Sequence, residues 1–515
     1  MLRLDNSWLL AATLGLGLGI VGCDDSGKSD GDKTADNKED KKADADADAK
    51  AGDVKTDDAK ADDGKADDAK ADDTKEADAK ADDDGAAAEG GEGDDGAAAD
   101  EGGDTPPPPA GDKGPAYFAV RDRGVVKLDG GEFKVVDGAP DILLRDMHVA
   151  ADGKLYLLGS KGIMRIEGDK ATMVAETSFK TTGSVDAFAV LEDGTMWAVG
   201  YKGISKWDGK AWTTEEKKVL GADVTLIKGV AVDGKGQVWV ASSNKLHLLE
   251  GEAWTEVDTS AAFKRKPFFD MVRRAPDGTA YALASSTLVK ANAKDSVEEV
   301  DLQLKGFSSL GLLAFADNGI MALRSKVDAV LVRQPSGTSK EFEAGKAFAA
   351  DSIRAVGVDA SGRAWIGTDI GVAIVGPGDE KVEWNSGSVL ELAGQVEQIV
   401  PIGAGPDLPE VGPVKTGGLK GKILSDGKGM GDTEIELCPS PDMLFKTSPC
   451  GDSPVKFSGK TSAEGEFTFD AVPIGAYGIA VKVGGKWQLT MSSNFGTKMK
   501  EGESYDIGSI NVKSK

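Results

Sequence analysis

Asp359-Ala-Ser-Gly-Arg-Ala-Trp-Ile-Gly-Thr-Asp-Ile-Gly371 holds the pattern that decides the fold. A turn closed by Gly362 leads into a strand through Trp365, a second turn ends at Gly371, and the apolar run Val372-Ala-Ile-Val375 follows. The same order recurs upstream, with the turn glycine at Gly114, Gly153, Gly194, Gly236, Gly278 and Gly319. The marker residue of the seven copies is Tyr117, Tyr156, Trp197, Trp239, Tyr281, Met321 and Trp365, at intervals from 39 (117 to 156) to 44 (321 to 365). Short strands repeating at this period predict an all-β chain built on a seven-bladed β-propeller of four-stranded blades.

The segment before each turn glycine predicts the innermost strand of its blade. Six and four residues ahead of the glycine stand mostly large apolar residues, such as Phe188 and Val190 or Val356 and Val358. Five residues ahead stand His148, Ala189, Ala231, Arg273, Ala314 and Gly357. One large and one small face suit a strand crowded towards an axis and covered on both sides. The first copy has no such strand before it, whereas Gln395-Val-Glu-Gln-Ile-Val-Pro401 follows the seventh as an orphan. Pairing the orphan with the first copy is expected to close the ring and remove its edges.

The repeat resembles those of the two-component-regulator propellers and, more broadly, the streptogramin-lyase-type propellers, over about 290 residues. In the regulator family such domains are extracytoplasmic sensor heads. In the lyase family a histidine and acidic groups around a metal carry out an elimination. The chain has two histidines, His148 and His247, at unrelated positions of their repeats. Lyase chemistry is therefore not expected, and the resemblance leaves recognition as the role. An envelope lyase or hydrolase at the channel mouth, or a sensor head with a separate signalling partner, stands as the alternative.

Charge and composition divide the remainder. The 515 residues include 87 acidic and 61 basic side chains, a net charge of −26, which argues against nucleic acid as a partner. From Asp24 to Lys113 there are 32 acidic and 13 basic residues, so this stretch carries −19 and the rest −7 (−26 less −19). Lysine recurs every fifth residue from Lys50 to Lys80 among Ala and Asp. With almost nothing apolar to bury, the stretch is expected to be a disordered tether, stiffened by Pro106 to Pro109. Ahead of it, Arg3 and the apolar run Trp8 to Gly22 have the order of a secretory signal and are short for a membrane span.

Ile20-Val-Gly-Cys23 resembles a bacterial lipobox. The resemblance implies cleavage before Cys23, lipidation of its sulfur, and a partner in the membrane itself, since two or more acyl chains anchor stably. It implies the cell envelope, at the outer membrane or cell surface, with Asp24 leaving the inner membrane open. The expected organisation is a leader (1–22), a lipidated tether (23–113), the propeller (114–403), a linker (404–416) and a second module (417–515).

That last module alternates through seven short strands separated by glycine turns, which predicts a small β-sandwich. Gly421-Lys-Ile-Leu-Ser-Asp-Gly427 and Glu464-Gly-Glu-Phe-Thr-Phe469 resemble the carboxypeptidase-regulatory-like domain, a transthyretin-like fold. With Cys23 lipidated, Cys438 and Cys450 are the only thiols left, and an oxidising compartment predicts their disulfide. Closing so short a loop is worth about 3 kcal/mol in the chain-entropy treatment.

No phosphate loop, nucleophile elbow, EF-hand or zinc spacing occurs, so no catalytic residue, metal or cofactor is assigned. Trp197, Trp212, Trp239, Trp254 and Trp365 sit at repeat positions and read as blade core. Asp152, Asp193 and Asp277 read as turn residues. Two features remain for recognition of an envelope protein or glycan. Phe263-Lys-Arg-Lys-Pro-Phe-Phe-Asp-Met-Val-Arg-Arg274 is basic and aromatic, and reads either as a solvated loop or as a contact for an anionic group. Eight residues ahead of the turn glycines stand Arg145, Asp186, Lys228, Asp270, Gly311 and Arg354. They are expected at one channel mouth, as ligand contacts or as salt bridges between blades. The candidate ligand set is Arg145, Asp186, Lys228, Asp270, Arg273, Arg274 and Arg354.

Overall fold

A computed structural model describes residues 111–513, apart from 142, 143, 179, 180, 182, 285, 305–307, 351, 379, 443–446 and 452. The expected leader, Cys23 and the tether as far as residue 110 lie outside the described residues. Among the described residues the strands form nine four-stranded sheets, with three short 3-10 turns and no α-helix. Seven sheets are the blades of a propeller and two are the faces of a β-sandwich. The described residues are all-β, as the repeat predicts.

The innermost strands are Val396–Gly403 in blade 1, Asp146–Val149 in blade 2, Val185–Val190 in blade 3 and Ile227–Val232 in blade 4. Phe269–Arg274, Gly311–Phe315 and Ile353–Val358 serve blades 5, 6 and 7. Blade 1 joins both ends of the ring. Val396–Gly403 pairs antiparallel with Lys113–Val120, setting Phe118 opposite Ile399 and Tyr117 opposite Val400. The orphan strand closes the circle.

The repeated glycine has a stereochemical reason. Gly153, Gly194, Gly236, Gly278, Gly319 and Gly362 all have φ between +74° and +84°, the left-handed region that only glycine adopts without strain. Each N–H closes the turn on the carbonyl three residues earlier, as Gly362 does on Asp359 at 2.9 Å. The second glycine answers to space as well as to conformation: Gly371 has φ +145°, and a Cβ there would lie 2.0 Å from the Trp384 carbonyl oxygen.

The best-kept copy is stabilised by its aspartate. Asp359 Oδ1 accepts from the Ser361 and Arg363 backbone N–H groups at 3.0 and 3.1 Å. Its Oδ2 accepts from Arg363 Nε at 2.7 Å and from the buried Trp365 Nε1 at 2.8 Å. Asp233 repeats this with Lys235, Gln237 and Trp239. All seven marker residues are buried on the second strands of their blades. Asp152, Asp193 and Asp277 cap their turns through the N–H two residues on, which fits their reading as turn residues.

The C-terminal sandwich has Thr416–Ser425, Lys428–Gly429, Glu466–Pro473 and Ser504–Asn511 in one sheet. Glu434–Cys438, Phe457–Lys460, Ala476–Val483 and Lys486–Asn494 form the other. Leu419, Ile435, Leu437, Phe467, Ile479 and Val481 fill the space between them. Cys438 and Cys450 form the expected disulfide. The sandwich core also contains Ala393 and packs against Leu390, both contributed from the approach to the ring-closing strand. Gly496 sits so close that a Cβ there would lie 2.3 Å from the Ala393 carbonyl oxygen.

The 404–416 stretch, expected as a linker, packs on the propeller. Leu408 and Val411 lie on the core shared by blades 7 and 1, and Arg363 donates to the Ala404 carbonyl at 2.7 Å.

Asp359→Ala should strand the Trp365 N–H in the core and cost about 1–3 kcal/mol. Asp193→Ala, at an exposed turn, should cost clearly less. Thermal melts of the two variants check the order.

Candidate functional site

A β-bulge at the start of the innermost strands places the charged residues expected at the mouth. In blade 3, Val185 faces Gly200 and Ala187 faces Val199, so Asp186 is the extra residue. Lys228, Asp270 and Arg354 are skipped in the same way in blades 4, 5 and 7. In blade 2 the Arg145 N–H bonds the Leu158 carbonyl although Asp146 is the ladder partner of Leu158. A bulge turns a side chain out of the alternation of its strand, and in each of these blades it turns a charge towards the same end of the ring.

Blade 1 carries a member that the sequence reading missed. Glu397 is skipped between Val396 and Gln398. It stands eight residues ahead of Gly405, whose φ is +70° and whose N–H closes a turn on the Ile402 carbonyl at 2.9 Å. That spacing was the signal available for it. In blade 6 the position is Gly311, and the Arg324 guanidinium occupies the vacated space: a Cβ on Gly311 would meet Arg324 Nη2 at 2.9 Å.

Two neighbouring members, Arg145 and Asp186, bond to one another. Arg145 Nη1 donates to Asp186 Oδ1 and Ser184 Oγ, both at 2.6 Å. Burial raises the Asp186 carboxyl above its ordinary value, with Arg145, Ser184 and Lys228 pulling the other way. Lys228 Nζ lies 5.5 Å over the Phe268 ring. Glu397 accepts from Arg121 Nε at 2.8 Å. Arg354 Nη2 donates to Ser440 Oγ of the sandwich at 2.9 Å, so this rim is partly covered at blade 7. Burial lowers the Arg354 guanidinium from its usual value, with Asp369 opposing it; a guanidinium remains cationic throughout.

Arg273 does not join this rim. Its Nη1 and Nη2 donate to Asp146 Oδ2 and Oδ1 at 2.9 and 2.7 Å, a bidentate pair between residues 127 apart in sequence. Blades 5 and 2 stand on opposite sides of the ring, so the pair crosses the axial channel. The intervening innermost strands carry the small residues Ala187, Ala189, Gly229 and Ala231. Asp146 is 1% exposed. Burial alone would push its carboxyl up; Arg273 and His148 outweigh this and hold it well below the ordinary carboxylate range. His148 Nδ1 stands 3.5 Å from Asp146 Oδ2 and its ring lies 4.4 Å from that of Phe188. The cation expected to meet an external anion thus meets an anion of its own chain.

Arg274 points elsewhere, towards the turn at Gly278, with Nη2 3.9 Å from the position of a Cβ there. His247 is 1% exposed beside Ser242 Oγ at 3.4 Å, and burial pushes it down to about 4, so it packs as a neutral ring. Among the described residues no group of three or more His, Cys, Asp or Glu is placed to hold a metal ion. No helix among them is long and apolar enough to cross a membrane.

No protein-family model matches the chain, and no curated protein matches it. Solved propellers do. A streptogramin B lyase is 14% identical with a TM-score of 0.38, over 52% of this chain and 87% of that one. The virginiamycin B lyase of Staphylococcus aureus is 12% identical with a TM-score of 0.38, over 52% and 86%. The extracellular domain of a hybrid two-component system of B. thetaiotaomicron is 11% identical with a TM-score of 0.41, over 78% of this chain and 54% of that one.

Arg273→Met should cost about 3–5 kcal/mol at neutral pH, because it leaves a buried carboxylate unpaired. In the parent the depressed carboxyl contributes stability that is present above its unfolded value of 3.8 and is lost only in stronger acid. In the variant the sign reverses: burial then raises the carboxyl, so acidification protonates it and recovers part of the loss. Asp146→Leu combined with Arg273→Met should restore most of it. Denaturant titrations across pH check both statements.

Proposed function

We propose that this chain is a lipid-anchored cell-envelope protein that presents its propeller for recognition of a protein or glycan, without catalysis of its own. The observation that carries the reading is the Arg273–Asp146 pair across the axis. It commits a buried carboxylate and a guanidinium of the channel to each other, so neither is left for proton transfer. Contact with a partner then falls to the two rims, where loops carry exposed charge. The rim bearing Asp186, Lys228 and Asp270 is the better candidate, because the bulges aim these side chains out of their sheets.

The envelope placement rests on the leader and on Cys23. The lipid on that cysteine supplies the membrane contact, and the acidic stretch after it acts as the spacer. The C-terminal module, read as carboxypeptidase-regulatory-like, serves as an accessory fixed to blades 7 and 1. No metal, cofactor or nucleic acid enters this reading.

Cys23→Ala should move the protein from the membrane fraction to the soluble one and remove the acyl mass from the intact chain; unchanged fractionation would end the anchoring part. A photo-crosslinking side chain at Asp270 or at Lys154, near opposite ends of the ring, should capture a defined envelope protein or glycan in intact cells. Capture from neither end would overturn the recognition role.

A further inference from the structure

The loop from blade 4 to blade 5 carries three consecutive exposed cations, Lys264, Arg265 and Lys266. Among the described residues none of the three forms an ion pair. Lys266 acts on Asp223 only at longer range, and that carboxylate is already held by Lys245 at 3.2 Å. Nearby lysines are engaged: Lys218 pairs with Glu216 at 2.8 Å, and Lys245 also pairs with Glu256 at 2.8 Å.

The loop is anchored at both ends. Asp258 Oδ1 accepts from the Ser260 N–H at 2.9 Å, and the Thr259 carbonyl accepts from Ala262 and Phe263. Phe263 packs on the core of blades 4 and 5, edge-on to Phe269 at 5.8 Å. Pro267 restricts the return, and Phe268 lies beneath Lys228. The cationic tip is therefore presented from a fixed base, which lowers the ordering cost of binding. Beside it stands Leu226, 44% exposed. Ser243 links the two elements, donating its N–H to the Leu226 carbonyl and accepting from the Phe269 N–H, both at 3.0 Å.

We infer that this patch docks an acidic peptide segment of a partner protein, whose carboxylates meet Lys264, Arg265 and Lys266 and whose aliphatic side chain covers Leu226. The inference rests on the propeller being a recognition head and names the chemistry of its partner. Three unpaired cations in a chain of net charge −26 form a local inversion of sign, which attracts anions. Arg265 supplies the planar fork that grips a carboxylate with two hydrogen bonds. A neutral sugar would call for an open aromatic face, whereas Phe263 and Phe268 are half-buried against the blade.

The test uses the full chain and a fluorescent Glu/Leu peptide, read by anisotropy at low and at physiological salt. Phosphatidylglycerol vesicles and alginate serve as the lipid and glycan comparisons. Lys264→Glu, Arg265→Glu and Lys266→Glu together should weaken peptide binding about tenfold or more and flatten its salt dependence. Leu226→Ser should weaken it a few-fold, about the worth of one apolar contact, without changing the salt dependence. All four positions are exposed, and unchanged melting curves verify that the fold is kept. The inference is overturned if the parent does not bind the peptide, if the triple variant binds it equally, or if vesicles or alginate bind more tightly through the same residues. An unchanged affinity for Leu226→Ser removes the apolar half. Persistent capture from Asp270 in cells by the triple variant sinks this inference and leaves the recognition head standing; absence of capture by the parent from both Asp270 and Lys154 sinks the head whatever the peptide does.

Discussion

The antiparallel ladder between Val396–Gly403 and Lys113–Val120 holds the molecule in register, since it joins segments that lie nearly three hundred residues apart. Without it blade 1 would lack its innermost strand and the ring would expose two strand edges, each a template for aggregation. The same ladder builds the seam between blades 7 and 1, where Phe118, Trp365, Trp384, Val396 and Ile399 share one core. A slip of one residue would turn that set outwards. The sandwich depends on it too, because Leu390 and Ala393, which complete the sandwich core, lie immediately ahead of the closing strand. Closure, seam and docking form one cooperative unit.

Within that frame two devices distribute charge. In six of the seven blades a charged side chain reaches a common rim, where Arg145, Asp186 and Arg354 find partners on other elements. The axial pair of Arg273 and Asp146 works inside the channel and ties opposite blades. Desolvation makes the axial pair demanding: each partner is tolerable there only because the other is present. The rim charges are better hydrated and correspondingly freer to exchange a partner.

The repeat was legible in the sequence because its reasons are local. A left-handed glycine, a capping aspartate and an aromatic three residues on are all fixed within one turn, and Asp359 to Gly371 shows all of them. Closure was legible because an unpaired strand at one end matched a missing strand at the other. The residues gathered at the rim were legible for the same reason, through a constant spacing to the turn glycine. Glu397 was missed because its blade is split between the chain ends and its turn glycine, Gly405, lies outside the seven copies. The partner of Arg273 was invisible: nothing within 127 residues of sequence indicates that Asp146 stands across the axis. The packing of 404–416 was likewise hidden, since its Pro, Gly and Ala composition resembles that of a free connector while Leu408 and Val411 do the anchoring.

The rim also obeys a rule of parity. From blade 1 to blade 5 the sign alternates: Glu397, Arg145, Asp186, Lys228, Asp270. An even ring could continue this indefinitely, but seven is odd, so a strictly alternating circuit has one place where two like signs meet. With the Arg324 guanidinium over Gly311 and Arg354 in blade 7, that place is the step from blade 6 to blade 7. It is at this step that Ser440 of the sandwich reaches Arg354. An odd number of blades thus guarantees one like-signed step on the rim, and the side chains of blades 6 and 7 set it where the sandwich supplies Arg354 with a hydrogen-bond acceptor.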